Sequence, residues 1–263
     1  MKTSKDFDFH YEHKGLLMAY KHEKAGEQEW EVGQKAIKLG LKVENLNAKE
    51  VEILEPNANL NIKGAVYYHS DAHMTPSVFM KNMLSYLQAA GVEILSEEEV
   101  KDIVISGKKL GVKMLLQPGK GYRINVAQET NITIPAVLLE AKVAVTPMNG
   151  FTRFSGTMEI NKINHKINPV RVNAIANSAS KYYQGLQIST QDKEAAECGL
   201  RPVTPDGLPY IGRTSQYNNL TFATGHAMMG WSMGTATGKL VSEIISDKKL
   251  SMSLEMFQPD RRF

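Results

Sequence analysis

The chain has 263 residues, 42% of them hydrophobic, with 31 Lys and Arg against 28 Asp and Glu and a net charge of +3. That length holds one large or two modest domains with an ordinary core, and the near balance of charge argues against a nucleic-acid protein. A single cysteine, Cys198, excludes an intrachain disulfide and fits a reducing compartment. No apolar run reaches the length of a membrane span, and Met1 to Ser4 lead into charged residues rather than a secretory apolar region, so the expected location is cytoplasmic.

In chain order, Gly15 to Lys21 predicts a strand. Glu23 to Leu39 carries Ala25, Trp30, Val32, Ala36, Ile37 and Leu39 on a polar background, a helix stopped by Gly40. Asn47 can cap a short helix over 48–54 that Pro56 ends. Gly64 to His69 reads as a strand. Thr75 and Pro76 supply the N-cap and first position of a helix with an apolar stripe of Phe79, Met80, Met83, Leu84 and Leu87, ending at Gly91. Val92 to Leu95 reads as a short strand. The β-like runs 122–127, 136–141, 143–146 and 152–157 predict antiparallel sheet. Pro169 to Tyr183 predicts a helix with Val170, Val172, Ile175 and Ala176 as its apolar positions.

The stretch from Gly199 to Leu240 is the most informative. It sets one cation, Arg201, among prolines, glycines and apolar residues, a context suited to gripping a carboxylate with two parallel hydrogen bonds. A β-rich run, Leu220 to Thr224, then leads into a Gly-bounded loop and a helix whose N-terminus can face a flat or anionic ligand. His69, Asp71 and His73 alternate along a strand and could converge, but a metal site is the lesser reading there.

The words R-P-x-T-x-D-G-x-P-x-I-G at 201–212 and G-H-x-x-x-G-W at 225–231, with the helix after them, resemble the FAD-dependent D-amino acid oxidase/dehydrogenase family. The likeness is strongest to its bacterial D-amino acid dehydrogenase and glycine oxidase branch. It implies an α+β fold with a mixed, largely antiparallel sheet. The substrate-binding domain would be 1–66 with 112–198, and the remnant of the FAD-binding domain 67–111 with 199–263. It implies that Arg201 holds the substrate carboxylate while the α-hydrogen passes as hydride to flavin N5, and that Met158 faces the substrate, a core methionine being the other reading. Arg201 is expected to face a cavity between the sheet and the 225–232 loop. Gly225, His226, Gly230, Trp231 and Ser232 would line the flavin, a Gly-rich turn needed only for tight packing being the other reading, and Val100 would sit near the adenine side, unless it is simply a buried strand valine. Glycine oxidases carry an arginine where this chain has Met229, which puts glycine-like substrates in doubt. A tyrosine of that branch is missing from 143–147, a role for which Tyr122 or Tyr210 could compensate. The partner is a small amino acid, with contact to an electron acceptor or a membrane surface left open for the intact enzyme.

Two parts of the family's cofactor domain have no counterpart in the sequence. No strand–G-x-G-x-x-G–helix unit precedes Gly15. The run 99–109 resembles the family's β-hairpin, yet the strand ending in A-x-G that should follow is absent, which puts a junction at Lys109–Leu110. The expectation is a trimmed or split form, or a natural truncated paralogue, from which FAD is absent.

Overall fold

The computed structural model describes residues 8–101, 103–105, 108–109 and 111–263. The first elements are β1 (Leu16–Tyr20), α1 (Glu23–Lys38), β2 (Val43–Asn47), α2 (Ala48–Leu54), β3 (Gly64–Tyr68) and α3 (Pro76–Ala89). The hairpin β4 (Val104–Ile105) and β5 (Lys108–Lys109) follows, then β6 (Gln117–Val126), β7 (Ala136–Leu138), β8 (Val143–Met148) and β9 (Phe151–Ile160). The chain continues through α4 (Pro169–Tyr182), α5 (Thr190–Glu194), β10 (Glu197–Val203), β11 (Tyr210–Thr214), β12 (Tyr217–Thr224) and α6 (Gly230–Ile245). An eight-stranded sheet runs in the order β10-β6-β9-β8-β7-β1-β3-β2. In it β1–β3, β2–β3, β7–β8 and β8–β9 pair antiparallel and β1–β7 parallel. The α+β class with a largely antiparallel sheet is therefore as the sequence indicates.

Local chemistry explains most element ends. Asn47 accepts from Lys49 N and Glu50 N while Glu50 returns a bond to Asn47 N, a closed capping box on α2. Gly91 adopts φ +81° and ends α3. Thr75 starts α3 without a side-chain cap; its hydroxyl instead accepts from Asn149 N at 3.3 Å. Val92 to Leu95 forms no strand and is exposed. Helix α1 buries Gly26 and Gly33 rather than its large apolar residues. A Cβ at Gly26 would stand 2.5 Å from the Tyr20 ring, so glycine is what lets helix and strand touch.

By contacts the chain forms two compact units. The first comprises residues up to Ile94 with Tyr122–Thr157 and Lys166–Cys198; the second is Leu95–Gly121, Met158–His165 and Gly199–Phe263. These differ from the sequence boundaries at 67–94, because β3 pairs with β1 and β2 and because Phe79 of α3 packs edge-on against Phe9. They differ also at 112–121 and 158–165, which fall in the second unit. The first unit's core gathers Leu17, Ile124, Leu138 and Phe154 with Val172, Ile175 and Ala179 of α4. Val170, expected among them, is exposed at the start of that helix. The second unit has a small core of Ile211, Leu240 and Leu254. The apolar stripe of α3 is only partly covered: none of its residues is fully buried, and Met80 is 55% exposed. Lys109 closes β5, while Leu110, on which the proposed junction falls, lies outside the described residues. Among the described residues no helix is long and apolar enough to cross a membrane.

Candidate functional site

Strand β6 opens Gln-Pro-Gly-Lys-Gly, and this run builds the site. Alternate residues of a strand share a face, so Gly119 and Gly121 look one way and Lys120 the other. On its side Lys120 is buried and donates to Asn164 Oδ1 at 2.8 Å, with Glu159 at 3.8 Å. The glycine side has no side chain of its own and is filled by neighbours. Met158 of β9 and Val203 of β10 lean over Gly119, where an added Cβ would lie 3.1 Å from Met158 Sδ and 2.7 Å from Val203 Cγ2. The guanidinium of Arg201, also on β10, lies directly over Gly121. The two residues that the resemblance assigns to substrate thus meet on one glycine face of one strand.

Arg201 opens onto a cleft of 260 Å³ walled by Leu116, Pro118, Ile163, Leu200 and Pro202. Burial alone pushes the guanidinium pKa down, and among the described residues no carboxylate pairs with it. Depressions of 280 and 410 Å³ in the first unit share Asn57 and the 128–131 turn, but neither contains a basic side chain to receive a carboxylate. The expected border of the Arg201 cleft needs correction. None of 225–232 lines it. That loop instead joins the next residues of the strand through its backbone, with Ala227 N donating to Pro202 O at 3.0 Å and a bridge between Val203 and His226.

The loop itself folds as a tight lead into α6. Gly225 takes φ +83°, and a Cβ there would stand 2.6 Å from Thr204 Cγ2. His226 Nε2 lies 2.9 Å from Thr237 Oγ1, and burial pushes the imidazole pKa down, so this side chain ties the loop to the helix. Gly230, Trp231 and Ser232 form the first turn of α6, with Trp231 46% exposed. Val100 is 81% exposed and outside any strand, which corrects its reading as a buried strand valine. Neither tyrosine considered as a compensating ligand lines the cleft. Tyr122 is consumed by the first unit's core, and the Tyr210 hydroxyl donates to Leu115 O at 3.4 Å. His69 and His73 do not converge with Asp71: they face different carboxylates, Glu44 at 3.0 Å and Glu12 at 3.8 Å.

Arg261 is the residue that sequence reasoning missed. Its guanidinium grips Asp206 with two bonds, 2.8 Å from Nε and 3.0 Å from Nη2, and donates to the carbonyl oxygens of Leu208 and Pro209 while covering the Tyr210 ring at 4.1 Å. The Asp-Gly-x-Pro part of the motif is thus a turn held by a residue 55 positions away. Its hydrogen bonds from Arg261 hold the Asp206 pKa at about 2, below the ordinary 3.8. A depressed carboxyl contributes stability present above its unfolded pKa and lost as pH falls through the folded one. The clamp should therefore hold above pH 3.8 and fail toward pH 2. In Arg261→Ala the Asp206 carboxyl is expected to titrate back in the ordinary aspartate range, read by carboxyl NMR; an unmoved midpoint would refute the clamp.

The sequence pattern of the FAD dependent oxidoreductase family matches residues 2–114 and 105–244. The chain belongs to that family. Among curated relatives, the D-amino acid dehydrogenase of Helicobacter pylori strain J99 is 30% identical over 91% of this chain and 64% of its own length. The chain thus spans somewhat under two thirds of that relative. The D-amino acid dehydrogenase of Azorhizobium caulinodans is 36% identical over 56% of this chain and 35% of its own. Among solved structures, glycine oxidase from Geobacillus kaustophilus superposes with a TM-score of 0.87 at 20% identity, covering all of this chain and 79% of that one. L-proline dehydrogenase from P. horikoshii gives 0.84 at 16% identity, covering 98% and 79%. At those identities the structural likeness shows the shared fold.

The family implies FAD in the intact enzyme. The 225–232 loop and the start of α6 offer close backbone approach and a helix N-terminus, which suit the ring end of a flavin. Among the described residues no strand–G-x-G-x-x-G–helix unit stands. Within the first unit the β1-to-α1 turn carries Lys21, His22 and Glu23, and its Lys21 and His22 N–H groups both donate to Glu140 Oε1 at 2.9 Å.

Proposed function

We propose that this chain is the substrate-binding portion of a flavin-dependent oxidoreductase that oxidises D-amino acids, or related amines, to imino and keto acids. The observation that carries the reading is the half-buried Arg201, unmatched by any carboxylate among the described residues, in an apolar cleft. A guanidinium so placed has lost water and gains most from a ligand carboxylate with two oxygens to offer. The apolar walls of Leu116, Pro118 and Ile163 keep water from that pair, which strengthens it. Met158, on the same glycine face, would bound the substrate side chain. FAD supplies the two-electron chemistry in the family; the residues of this chain bind the carboxylate and fix the orientation of the α-carbon. The reading is tested by titration of the purified chain. D-alanine is expected to bind at least about tenfold more tightly than D-alaninamide, which lacks the carboxylate. Equal affinities would overturn it.

A second reading, a truncated binding domain that holds no FAD, rests on the lack of a strand–G-x-G-x-x-G–helix unit among the described residues. It agrees with the first on Arg201 and differs on the cofactor. The purified chain is expected to be colourless and to stay so after incubation with FAD and desalting. A visible flavin spectrum at one equivalent per chain would eliminate this second reading.

A further inference from the structure

We propose that Gly121 is the positioning residue for Arg201: its missing side chain is the seat on which the guanidinium rests, and it fixes the direction in which the two donor nitrogens point. The proposal builds on the reading of Arg201 as a carboxylate site. Gly121 is buried within β6, and its φ lies outside the left-handed region, so its backbone would admit any residue. Space is what forbids one. A Cβ at Gly121 would overlap the Arg201 guanidinium, with Cζ at 2.6 Å and Nη2 at 2.7 Å, and all three of its nearest neighbours belong to Arg201. The bare backbone of β6 at Gly121 therefore leaves the space that the Arg201 guanidinium fills, with Nη1 nearest it, and limits the directions the planar fork can take. A flexible side chain held this way loses less entropy on gripping a carboxylate, which is how preorganisation raises affinity. Gly119, two residues earlier on the same face, leaves equivalent room for Met158 and Val203, so the bare backbone continues beneath the rest of the site.

The test is a double-mutant cycle on the full chain, read by urea midpoint and by D-alanine titration. Gly121→Ala is expected to lower the midpoint and to weaken D-alanine binding at least about tenfold, with D-alaninamide affinity unchanged. In an Arg201→Ala background the same Gly121→Ala change should cost no further midpoint, because the group it collides with is gone. If Gly121→Ala fails to fold alone and folds in the Arg201→Ala background, the seat is confirmed in the same way. Equal midpoint losses in both backgrounds, or failure to fold in both, would overturn it. Should the wild-type chain not distinguish D-alanine from its amide, the carboxylate reading falls, while the midpoint cycle still decides whether Gly121 seats Arg201.

Discussion

Glu55→Ala is expected to destabilise the first unit by roughly 2–4 kcal/mol, the cost of leaving two buried N–H donors without an acceptor. Glu55 is 1% exposed and stands at the C-terminal end of α2. Its carboxylate accepts from Thr133 N at 3.1 Å, Thr133 Oγ1 at 2.9 Å and Ile134 N at 2.6 Å. These donors lie in the segment that enters β7, the strand that pairs with both β1 and β8. Removing the carboxylate strands two backbone N–H groups beside Ile132 and Ile134, both in the core, where water cannot replace it. Glu55→Gln keeps the shape and one acceptor but turns an NH₂ toward a donor, so its loss should be smaller. Trp30 lies in the first unit and Trp231 in the second. Urea unfolding followed by fluorescence in a Trp231→Phe background therefore reads the first unit, and a loss below about 1 kcal/mol for Glu55→Ala would refute the role assigned to Glu55.

Which parts of this molecule were legible in the sequence follows from the range of the forces. Caps and breakers act over three or four residues, so Asn47, Pro76 and Gly91 place their helix ends in the structure where the sequence does. Strand patterns for β1, β3, β8 and β9 are similarly local. Partners far apart in sequence are not legible: Glu55 with Thr133, Glu140 with the start of α1, and Asp206 with Arg261 are joined only by the fold. Apolar patterning also misleads where a face is left partly or wholly open, as in the stripe of α3 and the run Val92 to Leu95. The candidate site was legible as a motif around Arg201 and, by resemblance, at Met158. Its floor was not, because Gly119 and Gly121 look in sequence like turn glycines, and only the pleat of β6 shows that both serve one face. Tyr122 and Tyr210 carried a polar tip in the sequence reading, and packing drew both rings inside.

The second large effect is expected at Arg201. Arg201→Lys keeps the positive charge but replaces a planar fork by a single point donor, so a two-oxygen ligand keeps one bond in place of two. It should weaken D-alanine binding by about tenfold or more, equivalent to about 1.4 kcal/mol. Arg201→Ala should be worse. The cleft around it is walled by Leu116, Pro118, Ile163, Leu200 and Pro202, so a carboxylate entering it would leave water without any compensating charge. Stability provides the contrast. Burial lowers the Arg201 pKa with no carboxylate opposing it, so the native fold carries a desolvation cost at this position. Removing the guanidinium should relieve that cost, and the urea midpoint of Arg201→Ala is expected to hold or rise while ligand affinity falls. A loss of midpoint with unchanged D-alanine affinity would reverse the assignment, making Arg201 a packing residue and leaving the cleft without a carboxylate anchor.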